Sequence, residues 1–263
     1  MNSHHTNTGR IIVLSDLHLW GPEDPLYRAL LNFIDDKLRP DDKFFLVGDV
    51  FDLFIGNKSV FRERYYELIS RIRGLGSRGV EVYYIEGNHD FQIESVFDDC
   101  PHVHLYADTI HYEFDGRKIL FCHGDRINWK DWSYQIFRAF TRNLFTQCVI
   151  EAVPGPFIDK IGSTMSKASR GSHYEASEQV VTMFRNYACD KISKGYDFVI
   201  MGHSHHMDDM RFRVAGHEGQ YLNCGYPRKD RRYLELNQGQ DFFELKSWED
   251  IVIPLRPAKK ANQ

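Results

Sequence analysis

Two histidines stand two positions apart at the end of an apolar run late in the chain. The run Asp197-Phe198-Val199-Ile200 predicts a short buried strand, and Met201-Gly202-His203-Ser204-His205-His206 follows it directly. Side chains two positions apart in an extended segment point to the same side. His203 and His205 therefore form a pincer suited to a metal ion, although one such pair is weak support for a metal site.

The same arrangement recurs at the ends of four other apolar runs. The polar residues that follow those runs are all of metal-ligand type, and they are Asp16 with His18, Asp49, Asn88, and His123. In α/β folds the carboxyl ends of the strands form the crevice where ligands bind. Each of these residues taken singly is more often a turn or cap residue. Five such strand ends in one chain predict a shared site.

The residue types indicate which chemistry that site performs. Two carboxylates, one amide and four imidazoles suit Mn²⁺, Fe or Zn²⁺, and they do not suit the all-oxygen cages of Mg²⁺ or Ca²⁺. Seven ligands are too many for one transition metal and fit two ions that share a bridging carboxylate. Two divalent ions carry more charge than two aspartates neutralise, which favours an anionic phosphate ester as the substrate.

Alternating strands and helices position the first of these residues. Strands are predicted at Arg10–Ser15, Phe44–Val47 and Val80–Ile85, because these runs are short, apolar and bounded by polar residues. Apolar residues at helical spacing predict helices at Leu26–Leu38 and from about Phe61 to Leu75. The order βαβαβ predicts a layered α/β core with neighbouring parallel strands.

The second half of the chain follows a different pattern. A hairpin with an Asp-Gly turn is predicted at Tyr112–Ile119, and its second strand leads to His123. Residues 128–194 are predicted to be a largely helical insertion within one domain that spans residues 1–263. The tail is rich in strands separated by glycine turns, and those strands are predicted at Arg211–Val214, Gln220–Asn223, Arg232–Leu236 and Phe242–Leu245.

Composition narrows the class of protein. A chain of 263 residues with 42% hydrophobic residues can build one large domain with a sizeable core. The formal charge of −4 is not that of a basic nucleic-acid-binding protein. Five scattered cysteines without a CxxC pair predict reduced thiols in a cytoplasmic protein. We expect no secretory signal, and no apolar run approaches the roughly 20 residues of a membrane span.

The strand-end motifs together resemble the signature of the calcineurin-like metallophosphoesterases. In chain order they are Asp16-x-His18, Gly48-Asp49-x-x-Asp52, Gly87-Asn88-His89-Asp90, His123-Gly124 and Gly202-His203-x-His205. The resemblance covers residues 11 to about 225. It implies an α/β (α+β) fold, namely a four-layer αββα sandwich with a helical lid insertion, and an enzyme that hydrolyses phosphate esters.

The resemblance also implies a role for each motif residue. One divalent ion would be held by Asp16, His18, Asp49 and His205. The other would be held by Asp49, Asn88, His123 and His203, so that Asp49 bridges the two ions. Mn²⁺ is the favoured metal, with Fe and Zn²⁺ as alternatives. His89 would contact the phosphate and protonate the leaving group, Asp90 would orient His89, and Asp52 would support the site without binding metal.

The insertion is where substrate choice is expected to lie. Its apolar residues recur every three or four positions, at Trp129, Trp132, Ile136, Phe140, Leu144 and Cys148. Two interpretations remain open. The helices simply pack on the core, or they form an apolar lid that accepts acyl chains and rests on a membrane surface, since basic residues beside an aromatic stripe suit an interfacial helix.

A second resemblance favours the lid. His123-Gly124-Asp125, Tyr134-Gln135-x-Phe137-Arg138 and residues 165–170 are similar to the UDP-2,3-diacylglucosamine diphosphatases of Gram-negative lipid A synthesis. Those enzymes release UMP and 2,3-diacylglucosamine 1-phosphate, typically with Mn²⁺. The similarity implies a UDP-linked acylated sugar as the substrate, no nucleic-acid partner, and a cytoplasmic location with peripheral contact to the inner membrane. It implies substrate contacts at Asn88, His89, Tyr134, Ser169 and Arg170.

One position departs from that branch. Its best-known members carry Arg after the Asn of the third motif, whereas this chain has His89, as general phosphoesterases do. A phosphodiesterase or nucleotidase that acts on a soluble ester therefore remains an alternative. A non-catalytic scaffold of the same fold is a further alternative, but it predicts missing ligands, and every ligand position of the signature is filled in this sequence.

Overall fold

A computed structural model describes residues 9–127 and 176–248 of the protein. Their strands are β1 (Arg10–Leu14), β2 (Lys43–Val47), β3 (Phe54–Ile55), β4 (Glu81–Ile85), β5 (Asp90–Phe91), β6 (Val103–Tyr106), β7 (Thr109–Phe114), β8 (Arg117–Cys122), β9 (Phe198–Met201), β10 (Asp208–Val214), β11 (His217–Asn223), β12 (Arg232–Asn237) and β13 (Glu244–Ser247). Their α-helices are α1 (Pro25–Asp36), α2 (Ser59–Arg64), α3 (Tyr66–Gly74), α4 (Glu94–Phe97), α5 (Glu178–Ser193) and α6 (Pro227–Asp230).

These strands form two large sheets and a small pair, β3 with β5. The six-stranded sheet has the order β13-β12-β1-β2-β4-β6, in which β1, β2, β4 and β6 run parallel. The five-stranded sheet has the order β10-β11-β9-β8-β7, and its three central strands run parallel. The predicted parallel arrangement of the first three long strands is therefore confirmed. The strand-rich tail divides, since β10 and β11 join the second sheet whereas β12 and β13 join the first.

Alternation of buried side chains along the strands builds the layers. One face of the six-stranded sheet packs on α1 and α3 through residues such as Ile12, Leu14, Phe44 and Leu46. The other face packs on the five-stranded sheet through Ile11, Val13, Phe45, Phe121 and Ile200. The outer face of the second sheet is covered by α5 through Phe184, Ala188 and Ile192. The predicted four-layer αββα sandwich is confirmed, because both faces of both sheets bury apolar side chains.

The structure differs locally from the predictions in one helix and in one strand that was not predicted. The single helix predicted from Phe61 to Leu75 is divided at Tyr65, whose buried hydroxyl donates a hydrogen bond to the Leu19 carbonyl over 2.8 Å. This tertiary contact overrides a continuous apolar stripe. The strand β6 was not predicted at all. Its four residues mix polar and apolar types, and they become a strand because they pair in parallel with β4.

Part of the predicted insertion, 128–194, belongs to the described residues. Helix α5 begins at Glu178 with the Ser177 side chain as its N-cap. Residues 128–175, which include the apolar stripe, Tyr134, Ser169 and Arg170, lie outside the described residues. Of the helices at 9–127 and 176–248, none combines the length and the apolar character that crossing a bilayer would demand.

Candidate metal centre

The carboxyl ends of five strands meet where the two sheets adjoin. Strands β1, β2 and β4 of the first sheet lead to Asp16, Asp49 and Asn88, whereas β8 and β9 of the second lead to His123 and His203. Backbone hydrogen bonds join these strand ends, such as Asp16 N–H to the Gly48 carbonyl over 3.1 Å. The structure thus gathers all seven predicted ligands in one place.

The first set of side chains lies around the ring of His18. Its Nε2 is 3.0 Å from Nε2 of His205 and 3.7 Å from Oδ2 of Asp49. The His205 Nε2 is in turn 3.5 Å from Oδ1 of Asp16. One ligand atom each from Asp16, His18 and His205 lies within 4.8 Å of the others, which is close enough for all three to bind one ion.

The second set lies around Asn88 and His123. The Oδ1 of Asn88 is 3.2 Å from Nε2 of His123 and 3.1 Å from Nδ1 of His203. The His123 Nε2 is 3.4 Å from Oδ2 of Asp49. The same Asp49 oxygen therefore faces both sets of side chains, as a bridging carboxylate would.

A divalent cation fits these residues. The Oδ2 of Asp16 is buried and makes no hydrogen bond within the described part of the chain. An unsatisfied buried carboxylate oxygen is costly, and a cation at this point would compensate it. Facing ring nitrogens and carboxylate and amide oxygens form a borderline donor set that suits Mn²⁺, Fe or Zn²⁺.

Five of the gathered residues adopt the left-handed backbone conformation. Their φ angles are positive, at +53° for Asp16, +44° for His18, +53° for Asp49, +64° for His203 and +55° for His205. This conformation costs a non-glycine residue on the order of 1–3 kcal/mol, and such strain concentrates at functional sites. It also corrects the extended pincer predicted for His203 and His205, because the turn sends their rings to different sets of ligands.

Three motif glycines lie directly against ligands of other motifs. A Cβ on Gly87 would lie 2.1 Å from Oδ1 of Asp49, and one on Gly202 would lie 2.6 Å from Oδ2 of Asp16. A Cβ on Gly48 would lie 2.4 Å from the ring of His123. Any side chain at these positions would therefore displace a candidate ligand.

His89 is oriented differently from the prediction. Its ring Nδ1 lies 2.7 Å from the Asp52 carbonyl, so Nδ1 carries the hydrogen and donates it. Its ring stands edge-on to His18, with centroids 4.8 Å apart. The group that contacts this ring nitrogen is therefore the backbone carbonyl of Asp52 rather than the Asp90 carboxylate.

The Asp90 carboxylate holds the neighbouring turns. It accepts hydrogen bonds from the backbone N–H groups of Asp49, Val50 and Gly87 at 3.1, 2.7 and 2.7 Å. It also accepts one from the Tyr84 hydroxyl at 2.6 Å. Asp90 therefore fixes the backbone of Asp49, and Tyr84 is a supporting residue that the sequence motifs did not indicate.

Burial and mutual charge shift the acidities of these groups. Burial raises the pKa of Asp49, but the imidazoles around it, foremost His123, hold that pKa well below its ordinary value. Burial lowers the pKa of His123, yet the carboxylates, foremost Asp49, raise it to about 10. Burial and the His123 cation lower the pKa of His203 to about 4. Burial and the Asp49 carboxylate raise the pKa of Asp90 to about 6.

Metal loading of the metal-free protein at neutral pH should release about one proton for each chain, because a metal ligand must be deprotonated. The proton comes from His123, since a group with a pKa of about 10 is protonated at pH 7. Metal affinity should accordingly rise as the pH rises from 7 toward 10. Calorimetric titration with Mn²⁺ in buffers of different ionisation enthalpy measures the number of protons released on binding. An H104A variant, altered far from the site, should release the same amount, and a proton count of zero in the unaltered protein would contradict the prediction.

Known proteins resemble this chain over most of its length. The model of the family described as calcineurin-like phosphoesterase matches residues 9–207. A UDP-2,3-diacylglucosamine hydrolase of Pseudomonas putida (strain W619) is 26% identical over 242 residues, 91% of this chain and 99% of that protein. Proteins of the same name from Enterobacter sp. (strain 638) and Escherichia coli O6:H1 are 27% and 26% identical, over 81% and 74% of this chain and 89% and 81% of theirs.

Proposed function

Because the chain belongs to the calcineurin-like phosphoesterase family and is a metal-dependent phosphoester hydrolase, we propose that it hydrolyses the pyrophosphate bond of UDP-2,3-diacylglucosamine. The products would be UMP and 2,3-diacylglucosamine 1-phosphate. The observation that carries this proposal is the match to relatives of that name over nearly their whole length, combined with a complete set of candidate ligands.

We assign the ligands to two ions on the distances within the site. Asp16, His18 and His205 would hold one ion, and Asn88, His123 and His203 the other, with Asp49 shared. When bound, two divalent ions, for which we favour Mn²⁺, supply charge that stabilises the phosphate and activates water. The protein's own contribution is to hold the ligand atoms converged before any ion or substrate arrives.

His89 is the proposed acid and phosphate contact. Its Nδ1–H is committed to the Asp52 carbonyl, so Nε2 is the ring nitrogen available to the substrate. The backbone N–H of His89 donates to Oδ1 of Asp49 over 3.0 Å, which ties the acid to the bridging carboxylate. Asn88 precedes it and would contact the same phosphate.

The surroundings of the site suit a substrate larger than a simple phosphate ester. A cavity of about 640 Å³ adjoins His205, and Arg185, Met207 and Lys229 are among its lining residues. Its volume is in the range of cavities that hold small-molecule ligands, about 300–1,000 Å³. The lining also contains the acidic residues Glu178 and Asp230, and Arg185 pairs with Asp208 over 2.8 Å, so it is the volume of the cavity and not its charge that supports a large substrate.

The insertion completes the proposal. The predicted lid at 128–194 is too long at its C-terminal end, because α5 packs on the second sheet as an outer layer of the fold. We propose that the part of the insertion that carries the apolar stripe forms the lid, receives the acyl chains and touches the cytoplasmic face of the inner membrane. Tyr134, Ser169 and Arg170 are its proposed substrate contacts. The rival is a phosphodiesterase or nucleotidase for a soluble ester, and it is favoured by His89, where the best-known enzymes of the lipid A branch carry Arg.

A comparison of three substrates separates these functions. With added Mn²⁺, we expect the full-length protein to turn over UDP-2,3-diacylglucosamine with kcat/KM at least about tenfold above soluble UDP-sugars, because the acyl chains contribute apolar burial. Bis-p-nitrophenyl phosphate should be a poor but detectable substrate, since it tests the metal site alone. Equal kcat/KM on all three substrates would contradict the lipid substrate while leaving the phosphoesterase intact.

A further inference from the structure

The segment 223–231 lies beyond the family match, which ends at residue 207, and yet it touches the metal centre. It begins at Asn223, which is completely buried at the end of β11. The Asn223 side chain donates to the Gly202 carbonyl over 3.0 Å and to the Ser204 hydroxyl over 3.1 Å. It thereby holds the turn that carries His203 and His205.

The next contact of this segment is an aromatic one. The ring of Tyr226 stacks on the ring of His205, with centroids 5.0 Å apart and an interplanar angle of 13°. The same ring stands edge-on to His18 at 6.1 Å. Asp230 accepts a hydrogen bond from the backbone N–H of Tyr226 over 2.7 Å, which fixes the aromatic residue in place.

The third contact is made by Arg228. Its Nη2 donates to the backbone carbonyl of His18 over 2.7 Å, and its Nη1 donates to Oδ1 of Asp24 over 2.9 Å. A second hydrogen bond joins Nη2 to the other Asp24 oxygen. The guanidinium therefore bridges a completely buried carboxylate and the strained backbone of His18, whose φ is +44°.

Asp24 anchors this bridge in the body of the fold. It caps helix α1 by accepting the N–H of Leu26 over 3.0 Å, and it accepts the N–H of Trp20 over 3.1 Å. Charge-assisted hydrogen bonds of a planar guanidinium are strong and directional. The carbonyl of His18 is thus held against a rigid helix end.

We propose that residues 223–231 form a clamp that positions His18 and His205 for one of the two ions, with Arg228 as its positioning residue. Both histidines of the first set contact this segment: His205 stacks on the Tyr226 ring, and His18 meets the edge of that ring and accepts a hydrogen bond from Arg228 through its backbone carbonyl. The clamp rests on the two-ion site proposed above. Loss of Arg228 should therefore lower the affinity for the ion that His18 and His205 hold and leave the affinity for the other ion unchanged.

The experiment measures Mn²⁺ binding by the metal-free, full-length protein, without substrate. Two sites are expected in the unaltered protein. The R228M variant keeps an unbranched apolar stem but removes the guanidinium and its hydrogen bonds. Its affinity for one ion should fall about 10–100-fold, the effect typical of residues that support metal ligands. In an H203A background R228M should weaken the remaining binding, whereas in an H205A background it should change little.

Matched variants separate positioning from loss of stability. Arg78 also donates to backbone carbonyls, those of Ile34 and Leu38, at 2.8 and 2.7 Å, but far from the ligands. R78M should lower the unfolding midpoint without changing either Mn²⁺ affinity. The double variant D24N/R228M removes the unpaired buried charge while Asn still caps α1. It should fold and show the same selective weakening, and R228K should restore part of the affinity.

The outcomes are distinct. Two unaltered Mn²⁺ affinities in both R228M and D24N/R228M would overturn the clamp and leave the two-ion site standing. The clamp would also be overturned if R228M lowered the affinity for both ions equally and R78M did the same, because the effect would then be one of general stability. Unaltered protein that binds no second ion would overturn the two-ion site and the clamp together.

Discussion

Replacing Asp49 with Ala should abolish metal-dependent phosphoester hydrolysis, with a loss of kcat on the order of 10³-fold or more. One oxygen of this carboxylate lies 3.7 Å from Nε2 of His18 and 3.4 Å from Nε2 of His123, so a single substitution removes a ligand from both sets. The buried imidazolium of His123 would also lose the carboxylate that raises its pKa. Turnover of bis-p-nitrophenyl phosphate with added Mn²⁺ measures the loss independently of the lipid.

Asp42 supplies the matched control for this variant. It is as buried as Asp49, but it precedes β2 rather than following it, and it pairs with Arg10 over 2.7 Å. D42A should reduce the free energy of unfolding by about 1–3 kcal/mol, the range for lost hydrogen bonds to a charged group, because Arg10 keeps Glu235 as an ion-pair partner at 3.0 Å. Activity for each folded molecule should be kept. Near-normal turnover by D49A would contradict the shared-ligand assignment.

Replacing His89 with Ala should lower kcat by about 10²–10⁴-fold, the range typical of a general acid. The loss should grow as the leaving group becomes poorer, from p-nitrophenolate to phenolate, because a poor leaving group depends more on protonation. Mn²⁺ binding should persist, since the seven candidate ligands remain. The His89 ring is set for this role by the Asp52 carbonyl, which leaves Nε2 toward the site.

Two further variants sharpen the test of His89. H104A is the control. His104 lies on the outer strand β6 and pairs with Glu81 of β4, so its replacement should not affect kcat. H89R introduces the residue that the best-known lipid A enzymes carry, and it should keep the phosphate contact while losing the acid. If H89A lowers kcat by the same factor for good and poor leaving groups, His89 contacts the phosphate but is not the general acid.

The long elements and their order could be predicted from the sequence because their signals are local. Apolar runs at β1, β2, β4 and β9 formed strands within one or two residues of the predicted bounds. Where local signal and tertiary contact disagreed, the contact decided. Tyr65 interrupts a continuous helical stripe to reach the Leu19 carbonyl, and β6 forms only because β4 offers it a parallel edge.

The candidate ligands were also identifiable from the sequence, because residue type and position after a strand are both properties of the chain itself. How those ligands divide and what holds them required the tertiary structure. The left-handed turn separates the rings of His203 and His205, the carbonyl of Asp52 orients His89, and Arg228 reaches the carbonyl of His18 across 210 positions of the chain. Every residue has a backbone carbonyl, so the sequence does not indicate which carbonyls accept these hydrogen bonds. Contacts between residues so far apart in the chain exist only once the two sheets have packed.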